Sequence, residues 1–190
     1  MSRPLPALMT PLRTERFDLT PLSAWQAASL TWQHWVCDPR MHEPLLLSRK
    51  QRRRLRWWRR MISGYGRKRI VHAITPLGAT DPIGLHMFLL RPWRTASLQI
   101  AVHDRDWWGK DVVLETRIAI VGHIFDSDLA ERIDALVLAR NVSSIYTYRR
   151  LGFTHSGTAH RAVELPDGSG GGDIVTFEML RENWQPKGAA

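Results

Sequence analysis

Cysteine is almost missing from this 190-residue chain, with Cys37 alone representing it. An intrachain disulfide and a clustered thiolate metal site are both excluded, and this usage fits a reducing cytoplasm. Long apolar runs are missing too. No stretch approaches the roughly 18 residues of a membrane span. The N-terminal MSRPLPALMTPLRTERF has no continuous apolar segment ahead of a cleavage site. Neither a transmembrane segment nor a secreted protein is therefore expected. Acid is missing from one place, Arg49 to Arg69, which holds 11 Lys or Arg residues and no Asp or Glu. The rest of the chain has 16 basic against 18 acidic residues, so the net charge of +9 belongs to that segment alone. Any electrostatic partner is expected there rather than over the whole surface.

Hydrophobic residues make up 44% and charged residues 24%, which is ordinary for a globular protein and argues against disorder, collagen and coiled coil. The length suits one domain over residues 1–190. Thr14 to Leu22 alternates as a strand, and Ser23 is a plausible N-cap for the helix SAWQAASLTWQHWV. Ser48 is placed to cap a basic helix running to about Ser63, within a basic helical segment at 48–69. IVHAITP reads as a strand, and PIGLHMFLL and TASLQIAV read as a hairpin around RPWR. A loop, DRDWWGKD, precedes the amphipathic helix VVLETRIAIVGHIFD. The strand IDALVLA then leads to a short helix that ends at Gly152. Thr154 to Glu164 and Asp173 to Leu180 read as closing strands around the loop PDGSGGGD. The order indicates an α/β (α+β) fold with a single mixed, mainly antiparallel central sheet of about seven strands.

Two segments carry chemistry. WWGKDVVLET is a glycine loop opening onto a helix, where unpaired amides and the positive end of the helix can hold phosphate oxygens. ARNVSSIYTYRRLGF puts Ser144 and Tyr148 four residues apart on one helix face beside Asn141. Taken alone, these residues are best read as helix caps and packing.

Together the two segments resemble the GNAT acyltransferase superfamily, especially the branch that acts on N-termini of ribosomal proteins and related amines. TPLRTERFDLTPL resembles its opening strand and PIGLHMFLL its Ile-Gly strand. Trp108, Gly109, Lys110 and Glu115 fall on its acetyl-CoA loop and helix. Asn141, Ser144, Leu151, Gly152 and Phe153 fall on its Asn-x-x-Ser through Leu-Gly-Phe signature. The resemblance implies helices on both faces of the sheet, two central strands that splay apart, and an acetyl-CoA donor lying in the opening. It implies cofactor contacts at Ile100, Ala101, Val102, Trp108, Gly109, Lys110, Asp111, Val112, Val113, Asn141, Ser144 and Tyr148. It also implies Tyr148, with Ser144 as alternate, as the acid that protonates the departing CoA thiolate. Asp111 replaces the family's second loop glycine and Val113 a small residue. A carboxylate there is expected to compete for the helix amides, with Lys110 and Arg117 as candidates to offset its charge.

At about 100° per residue, Arg49, Arg52, Arg53, Arg56, Arg59 and Arg60 share one face of the expected basic helix, while Leu55, Trp58, Met61 and Ile62 face the other way. A solvated outer face is one reading. The other makes Arg52, Arg53, Arg56 and Arg60 contacts for an anion: RNA, an acidic protein, an anionic membrane surface, or the 3′-phosphate of CoA. The implied acceptor is an amine, with an acidic or RNA-associated one favoured, and the family admits a homodimer. The eight histidines show no ligand spacing, so no metal is expected. His103 and Asp104 follow the fourth strand near where family members keep a base, although a structural histidine is the preferred reading. The leading function is direct transfer of an acetyl group from acetyl-CoA to a primary amine. The competitor is a catalytically degenerate RNA- or protein-binding module acting through Arg49 to Arg69.

Overall fold

The computed structural model describes residues 5–165 and 168–185, so Pro166 and Asp167 of the expected hairpin loop lie outside the described residues. A short helix α1 (Leu5–Leu8) precedes strands β1 (Leu12–Arg13) and β2 (Phe17–Pro21). Helix α2 (Ala24–Thr31) starts where expected. Ser23 accepts from the Gln26 amide while the Gln26 side chain accepts from the Ser23 amide, which satisfies two orphan donors at once. A π-helical turn, Trp32–Val36, extends it and delivers Trp35 to the core.

The sheet continues through β3 (Arg69–Pro76), β4 (Gly84–Arg91), β5 (Thr95–Val102), β6 (Arg132–Leu138), β7 (Thr154–Glu164) and β8 (Gly171–Leu180), in spatial order β1-β2-β3-β4-β5-β6-β8-β7. The two-residue β1 makes eight strands where about seven were expected. Every pairing is antiparallel except β5 with β6, and that parallel pairing covers only Thr95 to Ser97 against Arg132 to Asp134. Beyond it the facing edges of Leu98 to Val102 and Ala135 to Leu138 have no strand partner, so the sheet opens between them.

Both faces are covered. Helix α4 (Val112–Asp126) packs on one, burying Ile120, Val121 and Ile124 against Phe17, Ile70, Phe88 and Phe177. Helix α2, the π-helical turn and α3 (Arg54–Ile62) cover the other with Trp35, Trp57, Met61, Leu85 and Met87. Arg69 to Ile74 of β3 are consequently buried on both sides, so the strand is mostly apolar rather than alternating, with His72 enclosed in it. Gly84 at the start of β4 is required by packing. A Cβ there would lie 2.9 Å from the Ala101 carbonyl oxygen.

Helix α3 departs from expectation. It begins at Arg54, because Ser48 to Gln51 form a turn in which the Gln51 amide bonds the Ser48 carbonyl. The Arg52 guanidinium also folds back on the Leu47 carbonyl, at 3.1 and 3.2 Å. Arg49, Arg52 and Arg53 are therefore outside the helix, and the six-arginine face does not form. The core side of α3 is Trp57 and Met61, while Leu55 is 66% exposed. Trp57 takes the interior because it buries the larger apolar surface and its indole N–H finds Thr31 Oγ1 at 3.1 Å. No helix among the described residues is long and apolar enough to cross a membrane.

Candidate active site

The opening between β5 and β6 is floored by the first turn of α4 and flanked by α5 (Val142–Arg150), giving a cleft of about 520 Å³. Ile100, Ala101 and Val102 line its strand side. Trp108, Gly109, Asp111, Val112 and Val113 line the loop side, and Asn141 and Ser144 close it from α5. Gly109 adopts φ +74° and Asp111 φ +55°, so the loop crosses the left-handed region twice before the helix begins. Asn141 is the N-cap of α5, its side chain accepting from the Ser144 amide at 3.2 Å. One residue thus caps a helix and faces the cleft.

Asp111 does not behave as its position suggested. Its carboxylate makes no capping bond to the α4 amides and instead meets Arg150 Nη1 at 2.9 Å. Among the described residues, the amides of the first turn of α4 keep no side-chain acceptor. The expected counter-charges are elsewhere. Lys110 is not among the cleft-lining residues; its Nζ lies over the Trp107 ring at 5.5 Å and its carbonyl accepts from Arg16 Nη2. Arg117 points into the protein interior. Glu115 ties the turn before β2 to α4, receiving Arg16 Nε at 2.7 Å and the Arg16 amide at 3.0 Å.

A second chamber of about 230 Å³ adjoins the cleft, the two sharing Pro44, Ile100 and Ser144. Tyr148 lines this chamber rather than the cleft. It is 3% exposed, lies parallel to Phe177 and edge-on to Phe153, and has Arg117 Cζ 4.1 Å from its ring centroid. Burial pushes the phenol pKa up, and the nearby Arg117 cation only partly opposes that, so Tyr148 holds its proton at neutral pH. Arg60, Arg91 and Arg117 also line the chamber, with no Asp, Glu or His among the lining residues.

Of the four arginines named from the sequence, only Arg60 faces this chamber. Arg52 is held at Leu47, and Arg53 and Arg56 are exposed on the outside. Sequence reasoning missed Arg91 and the role of Arg117. A signal existed for Arg117, which falls on the buried stripe of α4 with Ile120, Val121 and Ile124 at the spacing of one helix face. His103 stacks on His34 at 3.8 Å, and its Nε2 lies 2.9 Å from the Pro82 carbonyl. Burial and His34 hold its pKa at about 4, and Asp104 caps the following turn. Both are structural. A third depression, between Leu46 to Arg52 and β7, is bridged by the Arg49–Glu164 pair and includes neither Tyr148 nor the α4 loop.

Comparison with known proteins agrees with this geometry. Residues 11–154 match the family model described as an acetyltransferase (GNAT) domain. Ribosomal-protein-S5-alanine acetyltransferase from Vibrio fischeri has a similar structure, with TM-score 0.72 at 14% identity over 93% of this chain and 100% of that one. RimL, the ribosomal L7/L12 alpha-N-protein acetyltransferase solved with coenzyme A, gives 0.71 at 15% identity over 90% and 98%. Mycobacterium smegmatis RimJ, solved with CoA-disulfide, gives 0.68 at 19% over 91% and 87%. At these identities the likeness is one of fold, and no curated protein matches the sequence. The family model spans well over half the chain, and the chain belongs to the GNAT acetyltransferase family.

Proposed function

We propose that this protein is an acetyl-CoA-dependent N-acetyltransferase that passes the acetyl group directly to a primary amine, on a protein N-terminus or a small molecule. The observation that carries this reading is the meeting of the two cavities at Ser144, beside the buried phenol of Tyr148. The cleft suits a long phosphate-bearing thioester. The first-turn amides of α4 and the positive end of that helix favour phosphate oxygens. The unpaired edges of β5 and β6 leave backbone N–H and C=O groups for an amide-bearing arm. Asp111, turned to Arg150, leaves those amides free, which weakens the case for a silent binding module.

Acetyl-CoA supplies the activated thioester when bound. Tyr148 is the proposed acid, giving its proton to the leaving thiolate and regaining one from the nitrogen that has attacked, so that amine and thioester become amide and free thiol; Ser144, one helical turn earlier, is alternate or helper. The amine must arrive deprotonated, because the chamber walls have no carboxylate or imidazole to accept its proton and three guanidinium groups disfavour an ammonium ion. Cys37 is exposed and lines neither cavity, so direct transfer is favoured over a thiol intermediate. A reducing cytoplasm is the compartment that suits this lone exposed thiol. Exposed Arg53, just before α3, and Arg54, Arg56 and Arg59 along it are the proposed outer contacts for an acidic or RNA-associated acceptor.

Calorimetric titration with acetyl-CoA tests the donor, with binding expected between micromolar and millimolar. Tyr148→Phe removes one oxygen and is expected to lower kcat by roughly ten- to a thousandfold with little change in acetyl-CoA affinity. No heat at millimolar acetyl-CoA, or undiminished turnover in Tyr148→Phe, Ser144→Ala and their double variant, would overturn the reading.

A further inference from the structure

Arg117 is a buried cation with no carboxylate partner among the described residues. It sits on the core-facing stripe of α4 at 2% exposure, with Nε and Nη1 buried and without a hydrogen-bond partner. A buried cation normally has a carboxylate beside it, because desolvation costs several kcal/mol that only an opposite charge offsets. Arg117 has the face of Tyr148 and lines the chamber. Arg60 and Arg91 line the same chamber. Burial and then the nearby Arg91 both weigh against the Arg60 charge, so the two are close enough to repel. Three like charges converge on about 230 Å³ with no acid among the lining residues. Chain folding alone gives no reason for that arrangement, since each cation raises the cost of the others.

We propose that the chamber is an anion-recognition site for the acceptor, whose substrate is a primary amine carrying a carboxylate or phosphate close to its nitrogen. The inference rests on the acetyl-transfer reading and specifies its acceptor. Arg117, which lines the chamber beside Tyr148, supplies a fixed cation that no protein carboxylate neutralises, and Arg60 from α3 and Arg91 from the end of β4 add positive potential to the same space. The amine then lies towards Ser144, where the chamber meets the cleft. The same cations serve the chemistry twice. They draw in the anionic end, and they lower the pKa of the amine so that it enters as the neutral nucleophile. A neutral amine receives only the second effect and leaves Arg117 unpaired.

The test compares matched amines. Rates of CoA release are measured for Asp-Ala-amide against Asn-Ala-amide, and for phosphoethanolamine against ethanolamine, with acetyl-CoA binding measured separately by calorimetry. The anionic member of at least one pair is expected to exceed its neutral partner at least tenfold in kcat/KM, and the pair that responds identifies the anion. In Arg117→Met the ratio is expected to fall at least tenfold while acetyl-CoA affinity is kept, with Arg91→Gln showing a smaller fall. If Arg117→Met does not fold, Arg60→Gln combined with Arg91→Gln carries the comparison, with the same collapse expected. The inference is overturned, and acetyl transfer left standing, if the enzyme acetylates amines with anionic-to-neutral ratios below two in both pairs. An undiminished ratio in Arg117→Met, or rates for both members reduced equally, overturns it as well. Failure of acetyl-CoA to bind overturns both readings.

Discussion

Asp111 shows how one dihedral decides a residue's chemistry. At φ +55° its side chain is carried away from the helix axis towards Arg150, and the amides it was expected to occupy stay free. Only Asn, Asp and Gly adopt this backbone at modest cost, which accounts for an aspartate in a loop built on glycine. Asp111→Gly removes a carboxylate from the phosphate side of the cleft. The ion pair lost is exposed and contributes little to stability. Acetyl-CoA is therefore expected to bind about three- to tenfold more tightly, with a melting temperature close to that of the parent. Weaker binding in calorimetry would mean that the Asp111–Arg150 pair itself shapes the loop. Arg117 is the opposite case, a residue whose local cost makes sense only when a ligand is present.

Among the elements, α3 matters because it carries Arg60 to the chamber. Its attachment runs through one buried hydrogen-bond chain: Trp57 Nε1 donates to Thr31 Oγ1, and that hydroxyl donates to the Ala27 carbonyl at 2.5 Å. The chain ties α3 to α2 inside an otherwise apolar layer. Thr31→Val keeps the volume and removes the acceptor, stranding the indole N–H. A loss of about 1–3 kcal/mol is expected, read as a lower denaturation midpoint with unchanged slope. Acetyl-CoA affinity is expected to hold, because the cleft is lined by neither helix. An unchanged midpoint would show that indole burial alone holds α3. The opening between β5 and β6 has a related origin. Parallel pairing stops after Ser97 and Asp134, and Gly84 lets β4 approach the far end of β5 closely.

For the molecule as a whole, the consequence of burying histidines under the sheet is acid sensitivity. His72 and His86 are fully buried on the α4 side. Burial holds His72 at a pKa of about 4 and His86 well below its usual value. Both are neutral in the folded protein and titrate near 6.5 when unfolded. Because the folded pKa lies below the unfolded one, their contribution to stability is intact above about pH 6.5 and is lost as pH falls towards 4. At pH 5 His72 costs about 2 kcal/mol, a substantial part of a typical 5–15 kcal/mol stability, and His86 adds a cost of the same sign. Carboxylates such as Asp128, held at about 2 by Arg94 and Arg181, titrate below this window. Thermal melts at pH 7.5 and pH 5 should differ by on the order of 10 °C. Equal melting temperatures would show that the imidazoles find protons or partners in the folded state.

By itself the sequence determined the order of elements, because hydrophobic period and caps act locally. Ser23, Gly152 and the apolar density of the strand segments needed no partner to be legible. It also pointed to the cleft, since Trp108, Gly109, Asp111 to Val113, Asn141 and Ser144 lie in two short motifs that line it, although Lys110 turned to Trp107 and Tyr148 to the neighbouring chamber. Only the tertiary structure decided which way side chains face where two patterns competed. In α3, Trp57 prevailed over Leu55 and Ile62 because Thr31 waited for its N–H across the layer. Ser48 lost its helix because Ser48 to Gln51 close a turn of their own, with Arg52 folded back on Leu47. The chamber was out of reach for the same reason. Arg60, Arg91 and Arg117 come from three separate elements, and only the packing of α3, β4 and α4 around the open sheet brings their charges to one space.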